Sequence, residues 1–102
     1  MEKEKKEDTV FIGDFYPMEY ADEAARIIAF KDKKEVKIVA RGKNISKAVD
    51  VAEIVKNKFL QGKNAVKIKE GYPIIGTENL PSKDGKGKRD VSTIEIVLEK
   101  VE

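Results

Sequence analysis

Residues 40–60 read ARGKNISKAVDVAEIVKNKFL: the end of a strand, a basic turn and an amphipathic helix in unbroken succession. From Ile45, the apolar residues Ala48, Val49, Ala52, Val55 and Phe59 follow at offsets of 3, 4, 7, 10 and 14. This is the spacing of one helical face, and Val51 and Ile54 widen the stripe. Asn44 and Ser46 are the candidate N-caps, because both side chains accept hydrogen bonds from the free amides of a first turn. Neither is followed three residues on by Glu or Gln, so no capping box sharpens the boundary. Lys43 and Lys47 lie around this helix start, where the macrodipole is positive and a cation is unfavourable by about 0.3–1 kcal/mol. With Arg41 at the strand end, these cations beside free amides make a candidate phosphate site. A solvated, lysine-rich turn is the alternative that the pattern alone leaves open, since Lys and Arg are common on every surface.

Upstream, Val36, Ile38 and Ala40 alternate with Lys37, Val39 and Arg41, the period of two that marks a strand. Before it, Pro17 suits the first position of a helix, and Met18, Ala21, Ala24, Ala25 and Ile28 follow at helical spacing, which predicts a first helix over 17–30. Glu19, Asp22 and Glu23 favour its N-terminal half through the dipole. Thr9 to Ile12 reads as an opening strand whose continuous apolar run, Val10, Phe11 and Ile12, predicts cover on both faces. Gly13 and Asp14 then turn the chain. Strand, helix, strand implies a parallel, right-handed crossover.

Downstream, QGKN at 61–64 is a turn, and Val66 and Ile68 open a third strand that can run on to Ile75. Gly71 and Pro73 interrupt it, which places it at a sheet edge or around a bulge. The stretch NLPSKDGKGKRD, residues 79–90, reads as a long flexible loop rather than a tight hairpin turn. Residues 91–101 make a long final strand with Ile94, Ile96 and Leu98 on one face. The order β-α-β-α-β-β predicts an α/β two-layer sandwich, a four-stranded mixed sheet with two helices on one face.

At 102 residues the chain is long enough for one core, placed in a single domain over 9–102. Residues 1–8, MEKEKKED, hold three Lys and four acids with nothing apolar after Met1, the composition of a disordered charged tail. Cysteine and histidine are both absent, which excludes disulfides, thiolate metal sites and the usual nucleophile–base pairs. No apolar run approaches a membrane span and no hydrophobic signal core follows Met1, so a cytoplasmic location without a membrane partner is expected. Abundant Lys and Glu without Cys or Trp matches thermophile composition.

The net charge is only +2, but it is unevenly distributed. Between Val36 and Lys69 nine Lys or Arg face two acids, whereas Asp14 to Glu23 holds four acids and no base. The glycine-rich stretches KDGKGKRD and RGK lack the spacing of a nucleotide-binding loop, and the first sits between strands. The pairs Asp22 with Glu23 and Asp50 with Glu53 read as solvated helix positions rather than as an acid and base. Lys83, Lys86, Lys88 and Arg89 have the composition of an arm that tracks phosphates, or of a solvated loop. Phe15, Tyr16 and Tyr20 can stack on bases or fill a core or an interface. Phe59, beside Leu60, is either an exposed protein contact or buried against the sheet.

With these residues set out, ARGKNISKAVDVAEIVKNKFL and the final VSTIEIVLEK resemble the Alba family of archaeal chromatin proteins, and VFIGDFYPMEY resembles its first strand and loop less closely. The resemblance runs over roughly residues 9–101. It implies a fold like the C-terminal domain of bacterial translation initiation factor three. It also implies a non-enzymatic, cofactor-free homodimer, nucleoid-associated, that binds duplex DNA or RNA without strict sequence requirement. The implied body residues are Arg41, Lys43, Asn44 and Lys47, and the implied minor-groove arm is Lys83, Lys86, Lys88 and Arg89. Phe59, with Leu60, is implied as the contact between dimers. Where the family has a lysine pair after the first strand, this chain has Asp14 and Phe15, which removes cations and adds an anion. The divergent turn points to a paralogue with weaker or altered DNA binding. The alternative is an Alba-like interaction subunit that heterodimerises with a paralogue or joins a ribonucleoprotein.

Overall fold

A strand, a helix and a second strand open the structure, a computed structural model described here for residues 8–29, 34–59 and 67–101. The elements are β1 (Thr9–Phe11), α1 (Pro17–Ala29), β2 (Glu35–Arg41), a single 3₁₀ turn (Gly42–Asn44), α2 (Ile45–Phe59), β3 (Lys67–Glu70), β4 (Ile74–Pro81) and β5 (Lys88–Val101). Residues 1–7 of the expected tail, Phe30, the turn at 61–64 and Val66 lie outside the described residues, whereas Asp8 is held to the sheet, its carbonyl accepting from Lys37 N–H at 2.8 Å.

The strands form one mixed sheet in the order β1-β2-β5-β3, with β4 also paired to β5. β1 runs parallel to β2 and every other pair is antiparallel. The sheet therefore has five strands where four were expected, and the reason is local. β3 and β4 pair in succession with β5, on the edge that β2 leaves open. Between the pairs Glu70↔Leu98 and Ile74↔Glu95, Gly71, Tyr72 and Pro73 oppose only Val97 and Ile96. One extra residue is a β-bulge, and it divides what is otherwise a single strand. Gly71 N–H still donates to the Val97 carbonyl at 2.8 Å, while Pro73 has no N–H to give.

Both helices cover one face of the sheet. Val36, Ile38 and Ala40 of β2 pair with Leu98, Ile96 and Ile94 of β5, and these residues pack under the helices with Val10 and Ile12. The first helix buries Tyr20, Ala21, Ala24, Ile27 and Ile28. Its inward face is thus rotated from the expected one, leaving Met18 in solvent. In α2 the buried positions are Ala48, Val51, Ala52 and Val55, and Val49 falls outside the stripe. Alanines on both helices, Ala21 and Ala24 facing Ala48 and Ala52 in one core cluster, permit close helix approach.

The opposite sheet face is open, which corrects the expectation for the first strand. β1 is an edge strand, and Phe11, pointing away from the helices beside Val39, is 59% exposed. The loop expected over 79–90 is also shorter. Asn79↔Asp90, Leu80↔Arg89 and Pro81↔Lys88 pair as strand, so only residues 82–87 form the connection. Pro81 is tolerated because β4 is an edge strand. Beyond Thr93, β5 pairs with β4 alone, from Thr77↔Ser92 to Pro81↔Lys88, so this hairpin projects as an arm. The arm contributes to the elongated extents of 55 × 30 × 24 Å. Among the described residues no helix is long and apolar enough to cross a membrane.

Candidate nucleic-acid interface

The start of α2 and the turn after β1 form one fastened unit. Arg41 is extended, and Gly42 then takes a φ of 58°, a left-handed conformation that glycine adopts without a Cβ penalty. This bend begins the 3₁₀ turn, closed by Ile45 N–H donating to the Gly42 carbonyl, and α2 follows from Ile45. Asn44, expected as a cap, instead sends its side-chain amide across to the Ile12 carbonyl at 3.4 Å. Lys47 reaches the same turn: its Nζ donates to the carbonyls of Gly13 at 2.6 Å and Phe15 at 2.8 Å. The ammonium group also lies 6.0 Å from the centre of the Tyr20 ring. Tyr20 supplies the complementary fastening, its Oη accepting from Gly13 N–H at 2.9 Å and Phe15 N–H at 3.1 Å. A Cβ on residue 13 would lie 3.1 Å from that oxygen, so the glycine is what admits it.

The turn that carries Asp14 and Phe15 is thus tied to the start of α2, by Asn44 at Ile12 and by Lys47 at the carbonyls of Gly13 and Phe15. Arg41 is engaged as well: its Nη1 lies 2.9 Å from Glu78 Oε1, an exposed bridge from β2 over to β4. Gly76 and Thr93 lie at the intervening register position. Of the three expected body cations, only Lys43 is exposed without a protein partner among the described residues.

Much of the basic middle of the chain is likewise tied up within the fold. Lys58 Nζ meets Asp22 Oδ1 at 2.6 Å, joining α2 to α1, and Lys56 meets Glu70 at 3.0 Å and Glu53 at 3.6 Å. The Lys58 hydrogen bond and charge hold the Asp22 carboxyl below its ordinary value of 3.8. The Glu70 hydrogen bond and charge push Lys56 above its ordinary 10.5. Lys58–Asp22 is about half exposed and Lys56–Glu70 about a third, so water screens both and each contributes little to stability.

The arm is different. Lys83, Lys86, Lys88 and Arg89 are all exposed, and none has a carboxylate partner among the described residues. Its tip is ordered by its one acid: Asp84 Oδ1 accepts from Ser82 Oγ at 2.5 Å and from Lys86 N–H at 3.0 Å. The Ser82 hydrogen bond, then that of Lys86, holds the Asp84 carboxyl below its ordinary value. Ser82 N–H donates to the Gly87 carbonyl at 2.8 Å, and Gly85 turns the chain at a φ of 75°. Asn79 Nδ2 donates to Asp90 Oδ1 at 2.8 Å, so Asp90 binds across the strands. Residues 82–89 therefore present four cations against one acid whose oxygen is already occupied.

Phe59 ends α2, and its side chain, like Leu60, lies outside the described residues. The sequence marks Tyr20 as a base-stacking or packing ring but not as the acceptor that shapes the turn, and it gives no sign of Glu78. Among the described residues no cluster of three or more acidic side chains is placed to hold a metal ion.

The sequence profile of the Alba family matches residues 7–71. The chain is 41% identical over 95 residues to the DNA/RNA-binding protein Alba of Picrophilus torridus, covering 91% of this chain and 96% of that one. It is 42% identical to the protein of that name from Methanothrix thermoacetophila, covering 93% and 98% of the two chains. Among solved structures, Alba from Thermoplasma volcanium superposes with a TM-score of 0.75 at 35% identity, covering 89% of this chain and 98% of that one. ALBA1 from Trypanosoma brucei gives 0.66 at 25% identity, covering 97% and 74%.

Proposed function

The chain belongs to the Alba family, and from that premise we propose that it is a nucleic-acid-binding dimer that grips the phosphate backbone of duplex DNA or RNA without reading base sequence. The observation that carries this reading is the arm. Four exposed cations stand on a hairpin clear of the body, where charge neutralises phosphates and glycines admit close backbone approach. Lys43 extends the contact onto the body, and Arg41 joins it if a phosphate displaces Glu78. Lys47 acts by shaping the turn. The relatives that carry the name DNA/RNA-binding protein support the same ligand class.

Dimer formation is supported by the apolar residues left in solvent at the base of the arm. Ile74 and Phe11 are exposed on the open sheet face around a hollow of about 330 Å³, Ile75 is exposed beside Ile94 on the helix-bearing face, and Tyr72 stands in solvent just before β4. Large apolar residues left in solvent around one sheet edge mark an interaction surface. A second copy covers it in this reading, and Phe59 with Leu60 joins one dimer to the next. The exposed acids Asp14, Glu19 and Glu23 favour a second reading, in which the partner is a lysine-bearing paralogue that supplies the missing cations.

A salt titration of binding to duplex DNA and to structured RNA tests the main reading. Binding to either should weaken linearly on a log–log scale, and no binding to either at low salt contradicts it. Subunit exchange with a lysine-bearing paralogue in preference to self-association favours the second.

A further inference from the structure

The turn that has lost the family's lysines is fastened from within and aromatic on the outside. Its backbone polar groups point inward, the amides of Gly13 and Phe15 to Tyr20 and the carbonyls of Gly13 and Phe15 to Lys47. Tyr20, itself buried, takes the inward position against the turn, and the two neighbouring rings stay outside. Phe15 rests at 6.2 Å from the Tyr20 ring centre, tilted by 47°, and remains 64% exposed, while Tyr16 is 78% exposed.

We propose that Phe15 and Tyr16 form a stacking platform for unpaired nucleobases, which turns this chain towards single-stranded or looped segments. The inference rests on the nucleic-acid reading above and adds a second kind of contact to it. Three observations favour a base as the occupant. First, a duplex offers an approaching surface its phosphates and groove edges, and exposed Asp14 and Glu19 repel those phosphates. An unpaired base offers an uncharged π-face that the carboxylates tolerate, and aromatic side chains bind such faces whatever the sequence. Second, Lys43 stands on the 3₁₀ turn that Asn44 ties to the same loop, placed to take the phosphate of a nucleotide whose base lies on the rings. Third, the patch is small. Two rings exposed to this degree present roughly 200–350 Å², well short of the ~800 Å² that each side of a stable protein interface buries. One or two bases match that area. Because the turn is already ordered, binding does not have to freeze it.

The test uses a Tyr16→Trp variant, since the chain has no tryptophan and emission then reports on this turn alone. It is titrated at fixed salt with a single-stranded DNA oligonucleotide, an RNA stem-loop and a fully paired duplex. Quenching should accompany the first two and be absent with the duplex. In parallel, Phe15→Ala with Tyr16→Ala should weaken single-strand and loop binding by about 5- to 150-fold per stacked base. Duplex affinity should stay within about twofold, with an unchanged salt slope, because no phosphate contact is lost. Equal quenching by the duplex, or equal affinity of the double variant for single strands, overturns the platform. So does a change in sedimenting mass on removing the rings, which makes the patch a protein contact. If duplex binding that depends on the arm persists while the rings make no difference, only the platform fails. If the wild-type chain binds none of the three ligands, the nucleic-acid reading fails with it.

Discussion

Replacing Lys47 with Met should destabilise the protein and leave the salt dependence of nucleic-acid binding where it was. The ammonium group makes two hydrogen bonds to carbonyls, at 2.6 and 2.8 Å, the first partly buried and the second exposed. Hydrogen bonds to a charged group contribute about 1.5–3 kcal/mol when well sheltered. Here water can replace the outer one, so the pair is assigned about 1–2 kcal/mol together. A cation 6.0 Å from the Tyr20 ring adds about 0.5 kcal/mol. Against this, a lysine in the first turn of α2 opposes the helix dipole, and its removal returns about 0.3–1 kcal/mol. Methionine keeps most of the aliphatic stem. The balance is a loss of about 1 kcal/mol, which for a domain of this size lowers Tm by about 4–8 °C. Urea unfolding at fixed protomer concentration measures it, and the m-value should not move. An unchanged urea midpoint together with a salt slope reduced by about 0.9 would refute the reasoning and make Lys47 a phosphate ligand.

Tyr20→Phe removes the acceptor of two backbone amides and should cost about 1–3 kcal/mol; amide exchange that speeds up at Gly13 and Phe15 more than along α1 would locate the loss in the turn. Asp14→Lys with Phe15→Lys should tighten duplex DNA binding and steepen its salt slope by up to about 0.9 for each added phosphate contact, read by fluorescence anisotropy; no change would place the turn away from the duplex. For pH, the Asp22 carboxyl titrates lower in the fold than in the open chain, so the stability from Lys58–Asp22 is present above about pH 3.8 and is lost as pH falls through the lowered value. Lys56 titrates higher, so its contribution is present below about pH 10.5 and is lost as pH rises further. Asp22→Asn should flatten the acid limb of a stability–pH profile and leave the alkaline limb intact.

The periodicities carried the architecture because they report burial directly. Alternation at Val36, Ile38 and Ala40 and the stripe from Ala48 to Val55 both point into the core. The split of the third strand was legible in Gly71 and Pro73, whereas the extent of the hairpin was not. Asn79, Pro81 and Arg89 have loop composition, yet they pair because β5 continues past the body and offers them a partner. The inward stripe of α1 departs from the helical spacing that starts at Met18 because Tyr20, one of three aromatics indistinguishable by sequence, is the ring that goes inside. Its hydroxyl meets two amides there, which lets a tyrosine be buried. Charge was the least legible property. The count of nine cations in the middle of the chain gave no sign that Arg41, Lys56 and Lys58 would meet Glu78, Glu70 and Asp22 across distances that only the fold closes.

That redistribution makes the arm the main basic surface, and it can be weighed in one experiment. Lys83, Lys86, Lys88 and Arg89 are replaced together by Ala, and binding to a duplex of mixed sequence is titrated with salt beside the wild type. Four phosphate contacts at about 0.9 each should lower the log–log slope by about 3 to 4 for each engaged arm, with the fold unaltered because none of the four side chains is buried. A slope equal to that of the wild type would contradict the account and move the phosphate contacts to the body.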